Sequence, residues 1–85
     1  MASFNDTQRV YTIRWRCRRG MKELDVLLTR YLDRDYYNAP LAQRQAFELL
    51  LEKSDPDILD YILGRKEPDN RELALVIARL SVAGD

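Results

Sequence analysis

The three glycines and three prolines of this chain lie between runs of residues whose apolar positions recur with helical spacing. Glycine and proline interrupt or end helices, so they divide the chain into several short segments. Each segment repeats apolar residues at intervals of three and four, and no two segments form a convincing pair of strands. Short connections favour antiparallel neighbours. The sequence therefore predicts an all-α fold, a compact five-helix bundle that forms a single small domain.

The predicted helices span residues 10–19, 21–36, 41–53, 56–63 and 70–82. Ser54 or Asp55 is the predicted N-cap of the fourth helix, and Asp69 or Asn70 that of the fifth. Residues 1–6 and 83–85 are expected to be flexible. The predicted core takes the apolar stripe of the helices: Val10, Ile13, Cys17, Leu24, Leu27, Leu28, Tyr31, Leu32, Ala42, Ala46, Phe47, Leu50, Leu51, Leu73, Val76, Ile77 and Leu80.

The first segment, residues 10–19, fits two templates. Every second residue from Tyr11 to Cys17 is apolar, which is the pattern of a half-buried strand. Val10 and Ile13 also share one helical stripe with Cys17. A strand here would have no pairing partner downstream, and an unpaired edge is costly. We therefore expect a helix.

This predicted helix is capped by Asp6 and ends before Gly20, which would adopt the left-handed conformation common after a helix C-cap. It places Tyr11 and Trp15 together on a flank rich in arginine. On the residues alone, burial of Trp15 in the core is the stronger expectation, because large aromatic side chains usually pack inside. Exposure of Trp15 at a binding surface is the alternative.

Histidine is absent from the 85 residues, and cysteine occurs once. These two facts exclude Ser-His-Asp and Cys-His nucleophile systems, imidazole metal sites, an internal disulfide and a cysteine-rich zinc site within the chain. A domain of this size has a thin core, so a deep substrate pocket is not expected. A small enzyme that uses carboxylates such as Asp33, Asp35, Asp55 and Asp57 stays open as the weakest interpretation.

Charge is distributed unevenly although the formal net charge is zero. Residues 1–22 carry six basic side chains and one acidic side chain, whereas residues 23–85 carry 8 basic and 13 acidic side chains. Such a dipolar molecule is oriented and steered by a charged partner. One alternative function is therefore a small nucleic-acid-binding regulator that uses the arginine-rich first helix. The acidic remainder of the chain counts against it.

The sequence shows no targeting segment. Its first eight residues are polar, and its longest apolar run, from Leu73 to Ala78, is too short to cross a bilayer. The lone thiol of Cys17 fits a reducing compartment. We predict a soluble, monomeric, cytoplasmic protein that does not insert into membranes; a mitochondrial matrix location fits less well, because serine is nearly absent from the arginine-bearing N-terminal segment.

The most distinctive stretch runs from Arg18 to Asp25 and joins the first two predicted helices. Gly20 permits close approach of a partner's backbone. We expect Arg19 and Glu23 to lie close together beside it, where a cation, an anion and bare backbone can offer charge-assisted hydrogen bonds. The plainer alternative is an ordinary joint between two helices with Gly20 as a cap.

This stretch resembles the signature of the small succinate dehydrogenase FAD-assembly factors, the SdhE or flavinator family. The family hallmark R-G-x-x-E is matched by Arg19, Gly20 and Glu23, within a wider match to W-x-C-R-R-G-M-x-E-L-D. Downstream, residues 47–57 resemble the F-x-x-L-L and D-P-D block of the family. The likeness covers about residues 10–80, with Tyr61 standing where the family often has tryptophan.

The resemblance implies a five-helix, non-enzymatic protein without a cofactor of its own. Such proteins bind the flavoprotein subunit of succinate dehydrogenase, and in some bacteria that of fumarate reductase, and promote covalent attachment of FAD to a histidine there. Because this chain has no histidine and no glycine-rich dinucleotide fingerprint, FAD should belong to the partner. This interpretation requires no nucleic acid and no metal.

The resemblance also implies a set of partner-binding residues. Arg19 and Glu23 would make the specific contacts, and Gly20 would keep the surface sterically open. The residues that would steer and anchor the partner around them are Arg14, Trp15, Arg16, Arg18, Met21 and Lys22. No residue is expected to be catalytic.

Overall fold

The computed structural model of the protein describes residues 11–83, and these residues form helices and connecting turns without a strand. The helices are α1 (residues 11–16 within the described part), α2 (Lys22–Arg34), α3 (Leu41–Leu50), α4 (Asp55–Ile62) and α5 (Arg71–Ala83), with a 3₁₀ turn at Tyr36–Asn38. The all-α, five-helix prediction is confirmed. The predicted flexible residues 1–6, the predicted cap Asp6 and the predicted core residue Val10 lie outside the described residues, as do residues 84 and 85.

Helix α5 packs against α2, α3 and α4, and α2 also contacts α4. Aromatic rings fill the space between α2 and α3: the ring centroids of Tyr31 and Phe47 are 4.5 Å apart, and those of Tyr36 and Phe47 are 5.8 Å apart. Complete burial of such side chains stabilises a fold by about 1.5–3 kcal/mol each. The predicted core residues within 11–83 are buried except Ala42, which is exposed near the start of α3, and Leu27, which is partly buried. The prediction missed three further buried residues, Tyr36, Ile58 and Tyr61.

Local capping fixes both ends of α4. The hydroxyl oxygen of Ser54 accepts a hydrogen bond from the backbone N–H of Asp57 at 3.4 Å, so Ser54 is the N-cap. At the other end, Gly64 has a φ of 79°. The N–H of Arg65 then bonds to the carbonyl of Asp60, and that of Gly64 to the carbonyl of Tyr61. This pair of bonds is a Schellman motif, which confirms that the helix ends before Gly64.

The N-cap of α5 is Asn70, whose side-chain oxygen accepts from the N–H of Leu73 at 2.8 Å. Two other predicted helix ends are wrong by three residues: α1 ends at residue 16 rather than 19, and α3 ends at Leu50 rather than at residue 53. Both segments leave the helical path where they meet each other. The loop between α1 and α2 lies at that meeting point.

No helix in residues 11–83 has both the length and the apolar character needed to span a bilayer.

Candidate functional site: the loop between the first two helices

The loop of residues 17–21 begins where α1 stops. The N–H of Cys17 bonds to the carbonyl of Ile13, and the N–H of Arg18 bonds to the carbonyl of Trp15, which tightens the last turn. Gly20 does not have a positive φ. The prediction that Gly20 is the left-handed residue after a C-cap is therefore wrong, because the chain has already left the helix three residues earlier.

Arg19 anchors this loop to the corner between α3 and α4. Its guanidinium donates hydrogen bonds to the backbone carbonyls of Leu51 and Lys53, the latter at 3.0 Å. The same group lies 3.4 Å from a carboxylate oxygen of Asp55. Only 12% of the Arg19 side chain is exposed. Carbonyls left unpaired at the end of α3 are thereby satisfied by a cation, which is favourable at a helix C-terminus.

Two carboxylates hold the backbone of the loop. Asp55 Oδ2 accepts a hydrogen bond from the N–H of Met21 at 3.3 Å, and Asp25 Oδ2 accepts one from the N–H of Arg19 at 3.4 Å. The Asp25 carboxylate also lies 3.8 Å from Nε of Arg18. A loop with these partners has little freedom to change its path, so the side chains that it carries outward are presented in a fixed arrangement.

Asp55 was not predicted as part of this site. The sequence indicated that either Ser54 or Asp55 caps α4, and it offered Asp55 as one of the carboxylates of a small enzyme. Because Ser54 takes the cap, the Asp55 carboxylate is free to face the loop, 36 and 34 residues away from Arg19 and Met21 in sequence. The resemblance did contain a signal: the D-P-D block and the R-G-x-x-E motif occur together, and the structure brings them into contact.

The outer side of the loop is exposed and predominantly basic. Trp15 is 64% exposed and lies with its ring 5.8 Å from the Arg18 guanidinium carbon, a cation–π contact. The expectation from residue type that Trp15 packs in the core is therefore wrong. The core stripe of α1 carries Ile13 and Cys17 instead, which turns the Trp15 flank to solvent. Trp15 and its basic neighbours thus form an accessible surface.

The nine predicted partner-binding residues differ in their exposure to solvent. Seven of them are exposed, Met21 is half-buried, and the Arg19 side chain turns inward. Arg19 pairs with Asp55, whereas the side chain of Glu23 makes no hydrogen bond or ion pair with any residue in 11–83. The seven exposed members are Arg14, Trp15, Arg16, Arg18, Gly20, Lys22 and Glu23.

Aspartates pair separately with arginines across the described structure. Arg14 lies 2.7 Å from Asp33, whose hydrogen bond raises the pKa of Arg14, and Arg79 lies 3.8 Å from Asp35. Asp55 serves Arg19. Three of the four carboxylates considered for a small enzyme, Asp33, Asp35 and Asp55, are thus engaged with different arginines. Residues 11–83 contain no cluster of acidic or cysteine side chains suited to a metal ion.

Cys17 is buried beneath the loop, with Sγ 3.7 Å from the carbonyl oxygen of Leu28. Burial raises the pKa of the Cys17 thiol to about 12, against an ordinary value of 9.0. The thiol is therefore protonated and unreactive in the folded protein at neutral pH, because the thiolate is the nucleophilic form. Its role is to pack the end of α1 against α2.

The buried thiol predicts a loss of stability at alkaline pH. Above pH 9 the unfolded chain releases the Cys17 proton, while the folded chain keeps it until about pH 12, so the free energy of unfolding should fall across this window. Ionisation of Cys17 in the unfolded chain should lower the free energy of unfolding by about 1.4 kcal/mol at pH 10. Urea unfolding at pH 8 and pH 10, compared between wild type and Cys17→Ala, measures it. Equal pH dependence in both proteins would contradict the prediction.

Comparison with known proteins places the chain in one family. Residues 12–83 match the family model Sdh5, described as flavinator of succinate dehydrogenase. A protein of Coxiella burnetii named FAD assembly factor SdhE is 37% identical over 68 residues, which cover 80% of this chain and 83% of that protein.

Two further relatives carry the same name. The one from Methylococcus capsulatus is 42% identical over 66 residues, covering 78% of this chain and 80% of the relative. The one from Pectobacterium atrosepticum is 36% identical over 66 residues, covering 78% and 75%. The matched residues include the loop, its α3–α4 anchor and the helices around them. The chain therefore belongs to the family of flavinators of succinate dehydrogenase.

Proposed function

We propose that this protein is a non-catalytic assembly factor that binds the flavoprotein subunit of succinate dehydrogenase and promotes its covalent flavinylation with FAD. Family membership and the shared name of the relatives support this function. The flavin–histidine bond that the family promotes has to form on the partner, because this chain contains no histidine. In this proposal FAD belongs to the partner.

Within the structure, the proposal rests on one observation: an exposed surface lies on a loop whose backbone is held by Asp25 and Asp55. We name it the docking surface and define it by the nine predicted residues: Arg14, Trp15, Arg16, Arg18, Arg19, Gly20, Met21, Lys22 and Glu23. Trp15 provides a large apolar anchor, and tryptophan and arginine are the residues most enriched at binding hot spots. Arg19 forms the inner edge of the surface.

The charge of the docking surface suggests the complementary chemistry of its partner. Arg16 and Lys22 are exposed and have no ion-pair partner within residues 11–83, and Arg18 is only loosely paired with Asp25. An acidic face of the flavoprotein subunit would be attracted to these cations, which raises the association rate. Exposed Gly20 would then allow close contact, and the side chain of Glu23, which has no ion-pair partner within residues 11–83, would orient the partner.

Binding can promote flavinylation without any chemistry in this chain. A flavoprotein subunit that holds FAD samples several arrangements of the flavin relative to its histidine. A protein that binds the reactive arrangement more tightly than the others increases its population, by a factor limited by the difference in affinity. The proposed role of the docking surface is to supply that difference.

The nucleic-acid alternative has less support from the geometry. Among the arginines of the docking surface, Arg14 is paired with Asp33 and Arg19 is directed inward, so few cations remain for phosphate groups. Nonspecific nucleic-acid binding depends on the number of phosphates neutralised. We therefore expect no measurable binding to duplex DNA near physiological salt concentration.

Co-expression tests the proposed function. The succinate dehydrogenase flavoprotein subunit is produced with and without this protein, denatured, and separated by electrophoresis, so that only covalently bound flavin fluoresces with the subunit band. We expect the fluorescence per subunit to rise several-fold when the protein is present. Equal fluorescence in both samples, at equal subunit and FAD levels, would overturn the proposed function.

A further inference from the structure

The carboxylate of Asp55 makes contact with both the side chain and the backbone of the docking loop. Its Oδ1 lies 3.4 Å from Nη1 of Arg19, and its Oδ2 accepts the hydrogen bond from the N–H of Met21 at 3.3 Å. These two contacts lie on either side of Gly20. The nearest atom to a methyl group built on Gly20 is also Asp55 Oδ2, at 3.8 Å. Asp55 therefore forms the inner wall of the loop.

We propose that Asp55 is a positioning residue for the docking surface: it acts through Arg19 and Met21 and holds the loop in the conformation that the flavoprotein subunit recognises. The inference rests on the proposed function and assigns to α4 a part in it. Asp55 itself is part-buried behind the loop and need not touch the partner.

The burial of Arg19 makes Asp55 necessary to this arrangement. With only 12% of its side chain exposed, the Arg19 guanidinium has lost most of its hydration. The carbonyls of Leu51 and Lys53 accept hydrogen bonds from its Nη2 and Nη1 atoms, but neither carries a compensating charge, and its Nε has no hydrogen-bond partner within the described residues. Removing one partner of such a pair leaves an uncompensated charge, which favours a conformation in which the arginine turns to solvent. The loop backbone would move with it.

Asparagine at position 55 tests the carboxylate without changing its size. Arg19 and Met21 face different oxygens of the Asp55 carboxylate, so an asparagine in the same orientation accepts from one of them and turns its NH₂ donor toward the other. Asp57→Asn is the matched control, because Asp57 lies in the same first turn of α4 and experiences the same helix dipole, and its carboxylate makes no hydrogen bond or ion pair within residues 11–83.

The first measurement uses the isolated protein and does not depend on its function. Amide hydrogen exchange, followed by NMR, should be about tenfold faster at Arg19 and Met21 in Asp55→Asn than in wild type, with core amides such as that of Leu28 unchanged. Asp57→Asn should exchange as wild type does at these positions. Unchanged exchange at Arg19 and Met21 in Asp55→Asn would overturn the inference.

The second measurement titrates each protein into purified flavoprotein subunit with FAD and follows covalent flavin. If only a fraction of the variant holds the competent loop, its apparent affinity falls to that fraction of the wild-type value and its maximum is retained. We expect the half-saturating concentration of Asp55→Asn to rise about tenfold with an unchanged maximum. A titration identical to wild type would overturn the inference while leaving the proposed function intact. Failure of wild type itself to stimulate flavinylation would overturn the proposed function and this inference with it.

A second variant addresses the case in which Asp55→Asn does not fold. Arg19→Lys keeps the charge, but its single ammonium group cannot reproduce the planar fork that reaches two carbonyls and a carboxylate. It should give the same faster exchange at Met21 and the same rise in half-saturating concentration. Wild-type behaviour of folded Arg19→Lys in both measurements would overturn the inference.

Discussion

Replacing Gly20 with arginine is expected to abolish the stimulation of flavinylation and to leave the protein folded. Gly20 is exposed, lacks a positive φ, and has no atom closer than 3.8 Å to the position of an added Cβ. The backbone therefore accepts a side chain at this position, and the stability should change by no more than about 0.5 kcal/mol, as for an ordinary surface substitution. A long side chain would instead project into the space that the partner has to enter.

The loss of affinity for the flavoprotein subunit should be on the order of 100-fold or more, because steric obstruction at the centre of an interface displaces the contacts around it. Flavin fluorescence of the subunit and thermal unfolding of the variant provide the two readouts. Gly20→Ala is the matched control, with full stability and an intermediate loss of affinity. If Gly20→Arg unfolds, Gly20 is a structural residue; if it binds as wild type does, Gly20 lies outside the interface.

Replacing Trp15 with alanine should weaken binding to the flavoprotein subunit by roughly 30-fold, about 2 kcal/mol, which is the threshold of a hot spot. Most of the Trp15 side chain is exposed to solvent, and its ring makes a cation–π contact with Arg18. A solvent-exposed ring contributes little to folding but much to a complex that buries it. The effect should therefore appear in affinity and not in stability.

Leu49→Ala provides the control for Trp15→Ala. Leu49 is an exposed apolar side chain of comparable exposure, on α3 and outside the docking surface. It should leave affinity unchanged. Affinity is measured by calorimetric titration of each variant into the subunit, and stability by urea unfolding. A loss of stability in Trp15→Ala that matches its loss of affinity would mean that Trp15 supports the fold rather than the complex.

Helical spacing and capping residues were sufficient to predict most of the fold. Ser54, Asn70 and Gly64 each act within one turn of their own helix, so their effects are readable from neighbouring residues. Helices α1 and α3 were predicted to extend three residues too far, because their ends depend on a contact between segments that are distant in sequence. Arg19 binds the carbonyls after α3, and this contact between distant segments favours an end to α1 before the arginine. Local spacing carries no information about it.

The sequence named nine residues for the candidate site, and their role in binding stays a prediction; it did not predict how they are arranged. The helical stripe of Ile13 and Cys17 already placed Trp15 on another flank, but the general tendency of tryptophan to be buried favoured the wrong environment. Arg19 was expected beside Glu23 and is instead paired with Asp55. That partner is 36 residues away, and only the packing of α4 against α2 brings it near.

Site-specific photocrosslinking tests most directly whether the docking surface binds the flavoprotein subunit. A photoreactive phenylalanine derivative is placed at Trp15 or Lys22 on the docking surface, or at Leu49 or Leu75, which are exposed on α3 and α5. After illumination with the FAD-loaded subunit, we predict a crosslinked product from positions 15 and 22 and none from positions 49 and 75. Crosslinks from positions 49 and 75 alone would show that the partner binds another face and would contradict the account.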